Sequence, residues 1–165
     1  MKYCLLILSS LFFIASCSKV EVPLSKQEKL RESEWRVDTA TITYLTTAGA
    51  DSLMFGAWGS DPEYKKPDCV KDDYLKFRAN FDGSHITGPD KCNVSESNDI
   101  EFTWGITEND TRMYMYGLYA LLGQDATGDL VDFRDDQFVF AFPKKIKSGT
   151  GDTITVKYSV KFKKK

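Results

Sequence analysis

Histidine is almost missing from this chain: His85 is the only one in 165 residues. That shortage removes the commonest general base and metal ligand at neutral pH. A Gly-x-Ser-x-Gly elbow, a phosphate-cradling glycine loop and a His-Glu-x-x-His helix are absent too. The sequence therefore carries none of the usual signs of a hydrolase, nucleotide enzyme or zinc peptidase. As a base, His85 would need a nucleophile and an orienting partner that spacing does not supply. Its place just after Asp82-Gly83 predicts an exposed residue beside a turn. No catalytic residue is expected, and a hydrolase is the most remote reading. An excess of charge of one sign is lacking as well, with 22 Lys and Arg against 24 Asp and Glu. Such a balance argues against nucleic acid as a partner. The basic tail Lys161-Phe162-Lys163-Lys164-Lys165 reads as a solvated strand end. Metal and cofactor are not called for. Asp68, Asp72 and Asp73 are the best calcium candidates but lack the Asp-x-Asp-x-Asp-Gly order, and no Cys-x-x-Cys occurs. The neighbouring acids Asp72-Asp73 and Asp135-Asp136 would point to opposite faces of a strand, so neither pair makes a dyad.

Long hydrophobic runs are also missing. The longest, Tyr3 to Ile14, is broken by Ser9 and Ser10. It is too short to span a bilayer, and behind Met1-Lys2 it reads as a cleaved signal. Its close, Ile14-Ala15-Ser16-Cys17, resembles the lipobox of bacterial lipoproteins. The resemblance implies cleavage before Cys17, a diacylated Cys17 thiol and an acylated new amine. Two or more acyl chains give a stable membrane hold, at about 0.8 kcal/mol per buried methylene. The expected organisation is a signal peptide over residues 1–16, a lipidated N-terminus and tether over 17–29, and one domain over 30–165. Ser18 follows the cysteine where an inner-membrane retention signal would carry Asp, so the outer membrane is the expected location. Whether the domain faces the periplasm or the surface stays open.

Ser25 and Glu28 have capping-box spacing, which predicts a short helix from Lys26 to about Glu32 that must lean on the domain. The signals after Glu34 are β. Trp35 to Leu45 is dense in Thr, Val and Ile. A Gly-, Ser- and Pro-rich insertion follows, with a short strand at Leu53 to Trp58. Tyr74 to Phe81 alternates, with Leu75, Phe77, Ala79 and Phe81 on one face. Asp82-Gly83 reads as a hairpin into Ser84 to Thr87. Phe102, Trp104 and Ile106 alternate with polar residues, and Asn109-Asp110 turns that strand into Arg112 to Gly117. Leu118, Leu121 and Leu122 have helical spacing ahead of Gly123. Leu130 to Arg134 and Phe138 to Phe142 are strands joined at Asp135-Asp136. Ile154, Val156, Tyr158, Val160 and Phe162 mark one face of the last strand. The expected fold is all-β: an antiparallel up-and-down meander closing into an eight-stranded barrel, with a two-sheet sandwich as the alternative.

With Cys4 in the signal and Cys17 lipidated, Cys69 and Cys92 remain. An even pair in an exported chain suggests a disulfide, with a metal or redox site as the weaker alternative. Closing that loop of about 24 residues would be worth roughly 3 kcal/mol. The run Asp68-Cys69-Val70-Lys71-Asp72-Asp73, then Leu75-x-Phe77, Asp82-Gly83, Lys91-Cys92 and Thr103-Trp104, resembles the lipocalin-like domain lipoproteins of Gram-negative bacteria. The likeness covers about Leu30 to Phe162. It implies pairing of Cys69 with Cys92 and a first-strand tryptophan, here Trp35. Lipocalins proper carry Gly-x-Trp where this chain has Ser33-Glu34-Trp35, so the resemblance bears on architecture more than on ligand carriage.

The remaining signal is aromatic. Tyr114 and Tyr116 share the face opposite Met113 and Met115, and Tyr119 follows. The tyrosine side could stack on a sugar, or the methionine side could line an apolar cavity. Trp58 is a second binding aromatic or a plug in the barrel end. Two functions follow. One is a non-catalytic binding or assembly module that contacts an envelope protein or a glycan. The other is a carrier holding a small hydrophobic ligand among Phe102, Trp104, Met113, Met115 and Phe140. Large inward residues at most positions favour a filled barrel.

Overall fold

The computed structural model describes residues 23–44, 52–54, 69, 71–91, 93–147 and 151–165. The signal segment, Cys17, Trp58 and Cys92 lie outside them. Strands β1 (Glu34–Tyr44), β2 (Ser52–Met54), β3 (Tyr74–Phe77), β4 (Asp82–Ile86), β5 (Asp99–Thr107), β6 (Arg112–Tyr116), β7 (Ala126–Val131), β8 (Gln137–Lys147) and β9 (Thr153–Lys164) form one antiparallel sheet. Pairing of β1 with β9, from Trp35↔Lys164 to Tyr44↔Val156, closes it. The result is an eight-stranded meander barrel, as the hairpin spacing predicts, with β2 added beside the far end of β1. Each barrel strand thereby has a hydrogen-bonded neighbour on both sides.

One end is shut by α1 (Lys26–Arg31). Ser25 caps it, its side chain accepting from the Glu28 amide while Glu28 reaches back to the Ser25 amide. This is the capping box that the spacing predicts. Leu30 is its buried residue, and its carbonyl accepts from the Trp35 indole nitrogen at 2.9 Å. Helix and first strand are thereby locked together. Lys26 Nζ donates to the Asp110 carbonyl at 2.6 Å on the β5–β6 turn. The opposite end carries α2 (Tyr119–Leu122), where Leu118, Leu121 and Leu122 are buried and Gly123 ends the turn in the left-handed region at φ 74°. That turn is also as the sequence predicts.

Three local expectations are corrected. The β3–β4 turn is Ala79–Phe81, with Asn80 and Phe81 at positive φ, and Asp82-Gly83 lies inside β4. Phe81 consequently leaves the core and is 50% exposed. Gly83 is needed for close approach: a Cβ there would lie 2.4 Å from the Phe102 ring. Strand β7 begins at Ala126 rather than Leu130. Its early inward positions are Ala126 and Gly128, too small to register as a hydrophobic alternation. A Cβ on Gly128 would stand 2.0 Å from the Ala141 carbonyl oxygen, so the small residue is imposed by β8. Finally, β8 runs on to Lys147, past the predicted end at Phe142.

Candidate functional site

Inward alternation brings the carrier candidates together. Phe102, Trp104, Met113, Met115 and Phe140 all join the buried core. Rings meet across the half of the barrel nearest α1. Phe77 packs edge-on against Trp104 at 4.8 Å and Phe102 at 5.7 Å, and Phe138 stacks on Phe162 at 4.7 Å while meeting Trp35 at 5.1 Å. Phe140, Phe142 and Tyr158 continue the sequence of contacts toward the α2 end. Each such pair adds about 0.5–1.5 kcal/mol beyond area burial. The Trp104 indole is satisfied, donating to the Asp82 carbonyl at 2.7 Å. Lys144, midway along β8, is half-buried and donates to the Leu122 carbonyl at 2.8 Å, with Nζ 4.6 Å from the Tyr158 ring centre. Desolvation holds its pKa below the ordinary lysine value.

His85 is not the exposed, turn-adjacent residue expected from the sequence. It is fully buried on the inner face of β4, paired in register with Leu75. Its Nε2 donates to Asp73 Oδ2 at 2.8 Å, and Asp73 Oδ1 accepts from the Gly88 amide at 2.9 Å. His85 Nδ1 meets no partner among the described residues. The pair straps the start of β3 to the end of β4 and the chain beyond it. Ser84, next in sequence, points to the other face of the strand and so does not join it. The only clue in the sequence was the period-two pattern through Gly83 and His85, hidden once Asp82-Gly83 was read as a turn. Of the calcium candidates, Asp73 is engaged by His85 and the Gly88 amide, and Asp72 accepts from the Asp90 amide at 3.2 Å. Asp68 is outside the described residues.

The two tyrosines of β6 have different positions. Tyr114 lies flat against Gly105, where a Cβ would stand 2.6 Å from its ring, and it is tilted 31° to Tyr116 at 5.1 Å. Tyr114 therefore covers the sheet. Tyr116, by contrast, borders an outer groove of about 540 Å³ with Tyr119, Asp125, Arg78, Asp82 and Glu101. Thr103, paired in register with Tyr116, also lines it. Asp125 orders one wall, accepting from the Gly117 amide and from the Tyr119 hydroxyl, each at 2.8 Å. That hydrogen bond, ahead of desolvation, raises the Tyr119 pKa. The Tyr116 hydroxyl shares a hydrogen bond with Thr127 Oγ1 at 3.0 Å. Arg78 pairs with Asp99 at 3.1 Å. Both rings are fixed at their hydroxyl ends and exposed on their sides. Tyr119 and the groove carboxylates were not among the residues singled out for binding from sequence. They converge only through the β4–β5–β6 register.

Trp58 and Cys92 fall outside the described residues, and with them the insertion aromatic and the expected Cys69–Cys92 bond. No described helix is long and apolar enough to cross a membrane. A scan against protein-family models finds no match, and a search of curated proteins finds none either.

Proposed function

We propose that this chain is a lipoprotein of the cell envelope, acylated at Cys17 and held at the outer membrane. Its lipocalin-like barrel serves there as a non-catalytic binding or assembly module that works through its outer surface. The observation carrying this reading is the contact of aromatic rings across the barrel. The five side chains that would line a carrier cavity belong to the core, none more than 4% exposed, and three of them, Phe102, Trp104 and Phe140, pack against other rings. A carrier needs an unfilled apolar space of some hundreds of cubic ångströms. Rings that meet inside the barrel favour a partner on its exterior.

Two further features fit an exported, tethered domain. Cys69 is disulfide-bonded, which supports Cys92 as its partner and an oxidising compartment. Pro23 enters the fold beside α1, at the shut end of the barrel. Residues 17–22 reach about 20 Å when fully extended, so an anchored chain would hold its shut end toward the bilayer and α2 away from it.

The test is a titration of the chain carrying Cys17→Ser, which cannot be acylated there, with a fluorescent fatty-acid analogue. No saturable uptake is expected. Saturable uptake that Trp104→Ala abolishes would establish the carrier instead.

A further inference from the structure

The outer groove bounded by Tyr116, Tyr119 and the β4–β5 carboxylates has no structural task that explains its composition. Tyrosines exposed on a sheet usually protect the backbone, and Tyr114 does this over Gly105. Tyr119 is 57% exposed and yet immobilised at its hydroxyl by Asp125, whose second oxygen is taken by Gly117. A ring so held presents a face at low entropic cost, which is the condition for stacking a ligand. Along the facing wall stand Asp82 and Glu101, both exposed and, among the described residues, without a hydrogen-bond or ion-pair partner for the carboxylate.

We propose that this groove is a saccharide-binding site, in which Tyr119 and Tyr116 receive the apolar C–H face of a sugar while Asp82 and Glu101 accept hydrogen bonds from its hydroxyls. Its volume of about 540 Å³ lies within the usual range for small-ligand sites, roughly 300–1,000 Å³. The polarity selects the ligand class. An apolar ligand would leave two carboxylates desolvated without partners, at a cost of several kcal/mol each by general estimates. An anionic ligand would be repelled by three carboxylates. A cationic peptide would match the acids but meet the Arg78 guanidinium on the same wall, whose charge is directed across β4 to Asp99. A neutral polyhydroxyl compound uses every group present: rings for its faces, carboxylates for its donors, and the spare Arg78 and Thr103 donors for its ring and glycosidic oxygens.

This site rests on the outer-surface reading above and specifies its ligand. The test uses the chain carrying Cys17→Ser with three probes, a tetramer of N-acetylglucosamine, isomaltotetraose and a lysine–alanine octapeptide. Amide shift changes in ¹H–¹⁵N spectra locate each contact, and calorimetry gives affinity. We expect at least one saccharide to shift the Thr103 and Gly117 amides at millimolar ligand. Its affinity should fall about tenfold or more in Tyr119→Ala, several-fold in the near-isosteric Glu101→Gln, and not at all in Val131→Ala, an exposed position on β7. Binding of the octapeptide alone, saccharide contact elsewhere on the barrel, no contact by either sugar, or unchanged affinity in Tyr119→Ala would each overturn the proposal. Fatty-acid uptake remains the separate check. If it fails to saturate while sugars also fail, the module reading stands and only this ligand class is lost.

Discussion

His85 shows how a single register error inverts the meaning of a residue. Placed after a presumed Asp82-Gly83 turn it reads as solvent-facing; placed two residues along β4 from Gly83 it points inward and must find a partner, which Asp73 provides. A buried pair of this kind is costly to break, because the surviving member is left without compensation. Asp73→Ala should therefore lower unfolding stability by about 3 kcal/mol, read as a shift of the urea midpoint at unchanged slope. Adding His85→Leu to it should cost less than the two single losses together, since the second change removes the orphan that the first creates. Additive losses would mean that the two side chains are not coupled. The glycines allow a sharper ranking. At Gly105 the atoms nearest an added methyl belong to the Tyr114 side chain, which can swing outward, whereas at Gly128 the nearest is the Ala141 carbonyl oxygen, 2.0 Å away. Gly128→Ala should cost more than Gly105→Ala, the first at or above the roughly 1–3 kcal/mol typical of overpacking. The reverse order in thermal melts would contradict the close β7–β8 approach.

Among the elements, those with a single strong local rule were legible in the sequence. Strand β9 alternates from Ile154 to Phe162 without a break, α1 shows Ser25 and Glu28 at capping distance, and α2 ends on Gly123. Elements set by their neighbours were not. Strand β7 opens with Ala126 and Gly128 because β8 leaves no room for more, and no local propensity marks such a start. The outer groove escaped notice for the same reason, since Asp82, Thr103, Tyr116 and Asp125 come from four separate stretches of chain. Helix α1 has a pH dependence of its own. Glu28 is held below its ordinary pKa by the Ser25 side chain and amide, Glu34 by Lys76 with Lys165, and Asp135 by Lys29. Carboxyls that are more acidic in the folded state stabilise it fully above their unfolded values, about 4.5 and 3.8, and lose that contribution as pH falls through the lowered ones. Glu28 closes the cap of α1 itself, Asp135 ties α1 to the β7–β8 turn, and Glu34 ties the start of β1 to β3 and to Lys165. Hydrogen exchange should show α1 amides losing protection in acid before those of β8 and β9. Simultaneous loss everywhere would show that these surface contacts do not set the local stability of α1.

At the scale of the whole molecule, closure of β1 on β9 gives eight strands around a space that side chains can fill or that can hold one small ligand. Here Trp35, Phe77, Trp104, Phe138 and Phe162 meet across it. The count of inward rings in the sequence pointed to such contacts, although Phe81 lies outside the core. Trp104→Ala should cost about 3–5 kcal/mol and open a void. Xenon reports such voids, because it enters dry apolar cavities and not packed cores. The most direct measurement is diffraction from crystals under xenon pressure, with Trp104→Ala as the positive control. Xenon is expected beside Phe77 and Phe138 in the variant, and no interior xenon in the unaltered protein. A xenon site within the unaltered barrel, bounded by Phe102, Met113, Met115 and Phe140, would contradict the packed interior and return the protein to the carriers.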